Sequence, residues 1–290
     1  MGPRSAIALV RRAVTRTPTL SVRKLSRRTG VPRSTVQLIL RKWLGLYPYK
    51  VQVVHKQKRG DKAKRMRLCS WLLPRLSGSR FPRFFFMSDE AHFYLDGTVV
   101  KQNCRIWGTE NPGYTVSHDP YAPHVTVWCA VSSGAVIGPF IFQEGGATVT
   151  VTAARYLAML EEFFVPELVR RDIPLRKIWF QQDGATAHTT AAVLGYLQSI
   201  FGSRVVSKGA TVAWPPRLPD LTSPDFFLWG YLKAAVYQKQ PKSLGELKRR
   251  IRKAVVGIPA DVLSAVGNGL VARCRACLRQ RGGHIEHVGT

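Results

Sequence analysis

Acidic residues are scarce in this 290-residue chain: 17 Asp and Glu stand against 44 Lys and Arg, for a net charge of +27. The shortage is concentrated at one end, since residues 1–80 hold 21 basic side chains and a single acid, Asp61. A segment of that kind repels basic partners and selects polyanions. Long apolar runs are also missing. The longest candidate, residues 125–142, is cut by Ser132-Ser133-Gly134 and by Gly138-Pro139, so it reads as two strands and a turn rather than a membrane span. This sets membrane lipid aside as the polyanion. Cysteines number five, with irregular spacing, which argues against a disulfide scaffold and for a reducing compartment. Cys274 and Cys277 form an isolated C-x-x-C on a predicted helix; with no second pair, they are read as buried small side chains rather than a zinc site. The apolar stretch Ala6–Val10 is too short for a secretory signal core. The Arg-rich, acid-poor N-terminus has the look of a mitochondrial presequence, but the same residues make a DNA-facing helix, and that reading is preferred here.

What is present divides into three parts. At 45% hydrophobic, the chain can bury a large core, and its length suggests two or three units. Residues 1–45 are read as a helix-turn-helix segment. Val22 and Leu25 mark one face of a short helix, Thr29-Gly30 stops it, and a second helix begins near Pro32–Ser34 with Val36, Ile39, Leu40 and Trp43 inward. The start of that second helix, Arg33, Ser34, Thr35 and Gln37, would face base edges in the major groove, with Arg41 and Lys42 further along it as DNA contacts. The plainer alternative is a helical hairpin with a solvated charged face. Residues 46–80 are read as a basic linker that tracks phosphates, followed by a helix carrying Leu68, Trp71, Leu72 and Leu73.

Residues 81–290 are read as a mixed α/β sheet. Strands are expected at Phe84–Met87, Val99–Gln102, Arg105–Trp107, Val125–Val131, Val136–Phe142 and Ile178–Phe180, with helices over Ala153–Asp172 and Ala187–Phe201. Three acids sit where such elements end or begin. Asp183 follows the apolar run Ile178-Trp179-Phe180 and precedes a glycine and a helix; Asp89 follows Phe84-Phe85-Phe86-Met87 and is placed at that strand's end. Asp225 falls in the first turn of a helix for which Ser223 is the expected N-cap and Pro224 the first residue. Each has an ordinary explanation taken singly: turn chemistry for Asp183, a loop cap for Asp89, the helix dipole for Asp225. Asp220, in the loop between two prolines, is read as a turn residue. Together, the three carboxylates make a site rich in hard oxygen donors, suited to Mg²⁺ or Mn²⁺, and two such ions can drive a phosphodiester displacement.

The blocks FFFMSDEAHF, WGTENP, QQDGATAH, WPPRLPDLTSPDFFLWGYLK and RCRACLRQRGGHIEH resemble the transposases of the mariner superfamily, from about Ser21 to the C-terminus. The resemblance implies an RNase H-like core whose catalytic and metal-binding triad is Asp89, Asp183 and Asp225. It also implies two metal ions and cut-and-paste transposition: hydrolysis at transposon ends, then attack of the freed 3′-hydroxyl on target DNA at TA. A homodimer holding two element ends and action in the nucleus go with it. His92 and His188 match motif positions and are read as supporting or core residues, not ligands. The chain departs from the pattern in two places. The 41 residues between Asp183 and Asp225 exceed the spacing of the best-known members, which suggests an enlarged loop around Gly202–Gly209. Only one helix-turn-helix is evident where two are usual, so residues 1–20 are expected to be at most the tail of a first unit, in a chain shortened at its N-terminus. The alternative to a transposase is a transposon-derived, sequence-specific DNA-binding protein that is catalytically silent. A stand-alone RNase H-like nuclease is weaker, because it leaves the helix-turn-helix without a purpose.

Overall fold

The computed structural model describes residues 3–18, 20–47, 56–78, 80–97 and 122–285. The strands expected at 99–102 and 105–107, and the WGTENP block, lie outside the described residues. The chain forms two compact units, residues 1–53 and 54–290.

Among the described residues the first unit has three helices: α1 (Pro3–Arg16), α2 (Val22–Thr29) and α3 (Arg33–Leu38), the last continuing through a wider turn over Ile39–Trp43. Ser21 caps α2 by accepting the Lys24 N–H at 3.3 Å, and Gly30 ends it in the left-handed region at φ 69°, as a turn between two helices requires. Ala6, Val10 and Ala13 of α1 pack with Leu25, Val31, Val36 and Ile39. Residues 3–16 are therefore not the tail of another unit, as expected from the sequence; their apolar side chains, three and four apart, complete the core of this one. Trp43, expected inward, is 60% exposed because the core is already closed by Val36 and Ile39.

The second unit is built on a sheet that has six strands among the described residues, in the order β4-β3-β2-β1-β5-β6. Its strands are β1 (Phe85–Tyr94), β2 (His124–Val131), β3 (Val136–Glu144), β4 (Ala147–Thr148), β5 (Trp179–Gln181) and β6 (Val205–Val206). Strands β1 to β4 pair antiparallel, while β5 and β6 join the other edge of β1 in parallel. The Gly202–Gly209 segment, expected as a loop, contains β6. Helices surround the sheet: α4 (Asp61–Leu76), the short α5 (Phe81–Phe84), α6 (Ala153–Met159) running through Leu160–Phe164 into α7 (Val165–Arg170), α8 (Ala191–Phe201), α9 (Trp229–Val236), α10 (Leu244–Val256) and α11 (Ala260–Arg279). No single helix among the described residues is long and apolar enough to cross a membrane.

Alternation along the central strands fills both faces. Phe86, Trp128, Ala130 and Phe180 pack with Tyr156, Phe164, Leu197 and Phe201 on one side; Val125, Val127, Cys129 and Val131 pack with Leu232, Val236, Leu247 and Ile251 on the other. A third cluster joins Leu68, Cys69, Leu72 and Leu76 of α4 to Leu270, Cys274 and Cys277 of α11. Helix α4, read from sequence together with the linker, thus belongs to the core of this unit. Two ion pairs fix it there. Arg65 and Asp220 are both buried and joined by two hydrogen bonds, one of them Nη1 to Oδ1 at 2.9 Å, and Arg65 also donates to the Gly283 carbonyl at 3.1 Å. Nearer solvent, Arg217 donates to Asp61 Oδ2 at 2.6 Å. Asp220 sits in a turn, as expected, and is in addition a long-range anchor.

Removing one partner of a buried pair leaves the other charge without compensation. Asp220→Ala is expected to destabilise the protein by about 3–5 kcal/mol in chemical denaturation, and Arg65→Met with Asp220→Leu to recover most of that loss. Equal stability of the single variant and the wild type would show that the pair carries no such constraint.

Candidate active-site cleft

Strand β1 does not end before Asp89, as the sequence suggested. Its antiparallel register with β2 continues to Tyr94, and Asp89 stands opposite Cys129 in mid-strand. Continuous hydrogen bonding to β2 carries the strand past the apolar run. On the other edge, however, the parallel pairing of β1 with β5 stops at Met87 and Gln181. Asp89 and Asp183 each lie two residues beyond that last pair, so both carboxylates stand at the same level, at the carboxyl end of β5. Ser88 Oγ donates to the Gln181 carbonyl at 2.9 Å and closes the gap between the strands.

Asp225 approaches from the segment Pro224–Leu228, the wide first turn leading into α9. Ser223 is not its N-cap: it has helical dihedrals, and its hydroxyl donates to Met87 Sδ at 3.4 Å. The helix starts earlier, with the Phe226 N–H bonded to the Thr222 carbonyl at 3.0 Å, and the Thr222 hydroxyl holds Asp225 Oδ2. All three acids line one cleft of about 1190 Å³.

Each carboxylate is aimed by a neighbour, of which the sequence had singled out only His188 as a supporting residue. Trp229 Nε1 donates to Asp89 Oδ2 at 2.8 Å. His188 Nδ1 lies 2.6 Å from Asp183 Oδ1, its Nε2 lies 3.2 Å from Glu90, and its ring stacks on Tyr156 at 4.0 Å. Buried Gln182 accepts from the Tyr156 hydroxyl at 2.9 Å and donates to the His188 carbonyl at 2.7 Å, which fixes the 183–188 turn. His188 is therefore a supporting residue, as read from sequence. His92 bonds Thr126 at 3.0 Å and lines a separate cavity of about 500 Å³ with His124 and Glu90.

The electrostatics separate the acids. Burial first, and the negative charge of Asp225 second, push the Asp89 pKa up to about 8 despite the Trp229 bond. Burial also pushes Asp183 up, but the bonds from His188 and the Ala185 N–H outweigh it and leave the group below its usual value. For His188, burial opposes the charge, while hydrogen bonds to Asp183 and Glu90 prevail and raise its pKa to about 10. Among the described residues, no three His, Cys, Asp or Glu side chains converge on one coordination point. The donors in the cleft are nonetheless hard carboxylate oxygens, and an acid whose pKa is raised by burial first and by a neighbouring carboxylate second is a position that a divalent cation relieves. In chemical type the donors suit such an ion, while their positions do not bring three of them together at one point.

In the first unit, Arg33, Ser34, Gln37, Arg41 and Lys42 are exposed on α3 and its continuation, and Thr35 is half-buried. All six sites expected to meet DNA thus lie on one short helical segment. Cys274 and Cys277 are buried on α11 in the same apolar cluster as Cys69.

Asp89 makes a pH-dependent contribution whose sign is fixed. The folded chain holds its proton up to about pH 8, whereas an ordinary aspartate releases it near 3.8. The unfolded state is favoured progressively between those values, so metal-free protein should lose stability as pH rises from about 4 to about 8. Asp89→Asn should flatten that slope in thermal melts taken across the window. An unchanged slope would place the Asp89 pKa near its normal value.

No family model matches the chain, and no curated protein matches its sequence. Solved structures do. The Mos1 transposase paired-end complex with left transposon end is similar at 19% identity and a TM-score of 0.77, covering 97% of this chain and 80% of that one. The Mos1 mariner paired end complex with Mn gives 19% and 0.76 over 96% and 79%, and the Mos1 strand transfer complex 19% and 0.74 over 97% and 79%. At that identity the likeness speaks for architecture: this chain has the fold of the Mos1 transposase, an α/β protein in which a helix-turn-helix segment precedes an RNase H-like mixed sheet.

Proposed function

We propose that this chain is a mariner-like DNA transposase, which binds transposon terminal inverted repeats and catalyses metal-dependent strand cleavage and strand transfer. The observation that carries the reading is the level placement of Asp89 and Asp183 beyond the end of the β1–β5 pairing, with Asp225 brought to the same cleft. The Mos1 structures named above, with their transposon end, Mn and strand transfer, agree with it.

Division of labour follows from charge. The exposed α3 positions, with Arg33 and Gln37 able to make bidentate base contacts, would choose the DNA sequence, and the surrounding basic residues would hold phosphates. Asp89, Asp183 and Asp225 would hold two Mg²⁺ or Mn²⁺ ions, which when bound polarise the scissile phosphodiester and offset the charge that develops on it. Trp229, His188 and Thr222 each occupy one oxygen of an acid and so fix the direction of the other. In the first displacement a water oxygen bonds to phosphorus and the P–O3′ bond breaks, releasing a 3′-hydroxyl. In the second, that hydroxyl attacks a target phosphodiester at TA and displaces its 3′-oxygen. Two element ends require two cleavage centres, hence a homodimer, and the genomic substrate puts the work in the nucleus.

Asp183→Asn preserves size while removing a charged oxygen donor. The variant is expected to lose Mg²⁺- or Mn²⁺-dependent nicking of end-containing DNA by several orders of magnitude and to keep nearly all binding in a mobility-shift assay. Nicking at the wild-type rate in the variant, or wild-type nicking in excess chelator, would refute the reading.

A further inference from the structure

The segment between β6 and Asp225 does more than connect two elements. After β6, residues 207–214 close into a tight turn anchored on Ser207, which is fully buried. The Ser207 N–H donates to the Val212 carbonyl at 3.0 Å, and its own carbonyl accepts from Ala210 at 3.3 Å and from Trp214 at 3.2 Å. Its hydroxyl accepts from Gln182 Nε2 at 3.2 Å, tying the turn to the residue beside Asp183. Gly209 permits the bend at φ 84°. The next side chain along from this anchor is Lys208. Its stem lies over Gly184, where an added Cβ would meet the lysine Cδ at 3.4 Å, and Lys208 lines the cleft with the three acids.

Two more cations line the same cleft from α4, Lys64 and Arg67, exposed and three residues apart on one helical face. Arg65 between them is turned inward to Asp220, so the two roles of this helix are separated by face. Among the described residues no carboxylate forms an ion pair with Lys64, Arg67 or Lys208. An ordinary surface lysine is held by nothing; here the backbone under Lys208 is fixed, and its neighbours are acids that would otherwise repel a polyanion.

We propose that Lys208, Arg67 and Lys64 form a phosphate-binding rim that grips the backbone of the DNA strand held in the cleft, with Lys208 supplied by the turn that follows β6. The proposal rests on the reading of the cleft as a site for DNA, and names which residues hold the backbone there. Cations of this kind add affinity without base choice, because each neutralised phosphate releases counterions.

The test is the salt dependence of binding by the full chain, in chelator, to a short duplex carrying a single nick. Lys208→Ala and Arg67→Ala should each flatten the slope of log affinity against log salt by about 0.9, and the double variant by about twice that. Lys253→Ala, an exposed cation of α10 outside the cleft, should leave it unchanged. Slopes equal to wild type for both cleft variants, or an equal flattening from Lys253→Ala, would overturn the proposal. The nicking assay on Asp183→Asn separates the two ideas: loss of nicking with unaltered slopes removes the rim and keeps the transposase reading, whereas altered slopes with nicking retained do the reverse.

Discussion

Parallel pairing of β1 with β5 stops at the step from Met87 to Gln181, while antiparallel pairing of β1 with β2 runs on to Tyr94. That mismatch opens the sheet on one edge only. Asp89 stays on a rigid strand, and Asp183 leaves β5 into a turn, at the same height and facing the same space. A strand end in an open sheet is where backbone groups lose their partners and side chains gain room, so functional groups collect there. Here the turn is not left loose. Gln182, Tyr156 and His188 satisfy one another around it, and the buried polar network fixes Asp183 more firmly than a strand end alone would.

The third acid depends on a different constraint. Asp225 belongs to a segment that reaches the cleft across α4, and the Arg65–Asp220 pair holds that segment from below. Both partners are buried, so their attraction is little screened, and the backbone carbonyls of Gly283 and Asp220 take further bonds from Arg65 and Arg273. Isolated buried pairs seldom raise stability over apolar packing, and their value lies in specifying one arrangement. The arrangement specified here is the one that brings Asp225 to Asp89. Its electrical signature is the raised pKa of Asp89, which arises from burial and from the proximity of that second carboxylate.

Charge is distributed to suit two tasks. The first unit has an apolar core closed by α1 and a set of exposed polar and basic positions on α3. The second unit brings three of its acids, Asp89, Asp183 and Asp225, to the cleft. Helix α4 serves both faces of the problem, with Arg65 directed inward to the fold and Lys64 and Arg67 directed to the cleft.

Much of this was legible in the sequence. The charge asymmetry, the helix-turn-helix, the strands at 125–131 and 136–142, the helix over 153–170 and the three acids are all carried by short-range signals: apolar period, caps, glycine turns and local composition. Those signals act over a few residues, and they went wrong where a longer interaction prevailed. Phe84–Met87 looked like a whole strand because the apolar run stops there, yet hydrogen bonding to β2 extends it through Asp89 and beyond. Ser223 looked like a cap because of its type, yet the Thr222 carbonyl already accepts the Phe226 N–H and starts the turn. Residues 3–16 looked like the tail of another unit, yet their apolar face packs with Leu25 and Val36. Asp220 is the turn residue it looked like, but its buried pairing with Arg65 was not legible because that partner is 155 positions away. Sequence alone determined which residues were chemically able to act; the tertiary structure decided which of them meet, because strand register and buried charge pairing join positions that no local pattern connects.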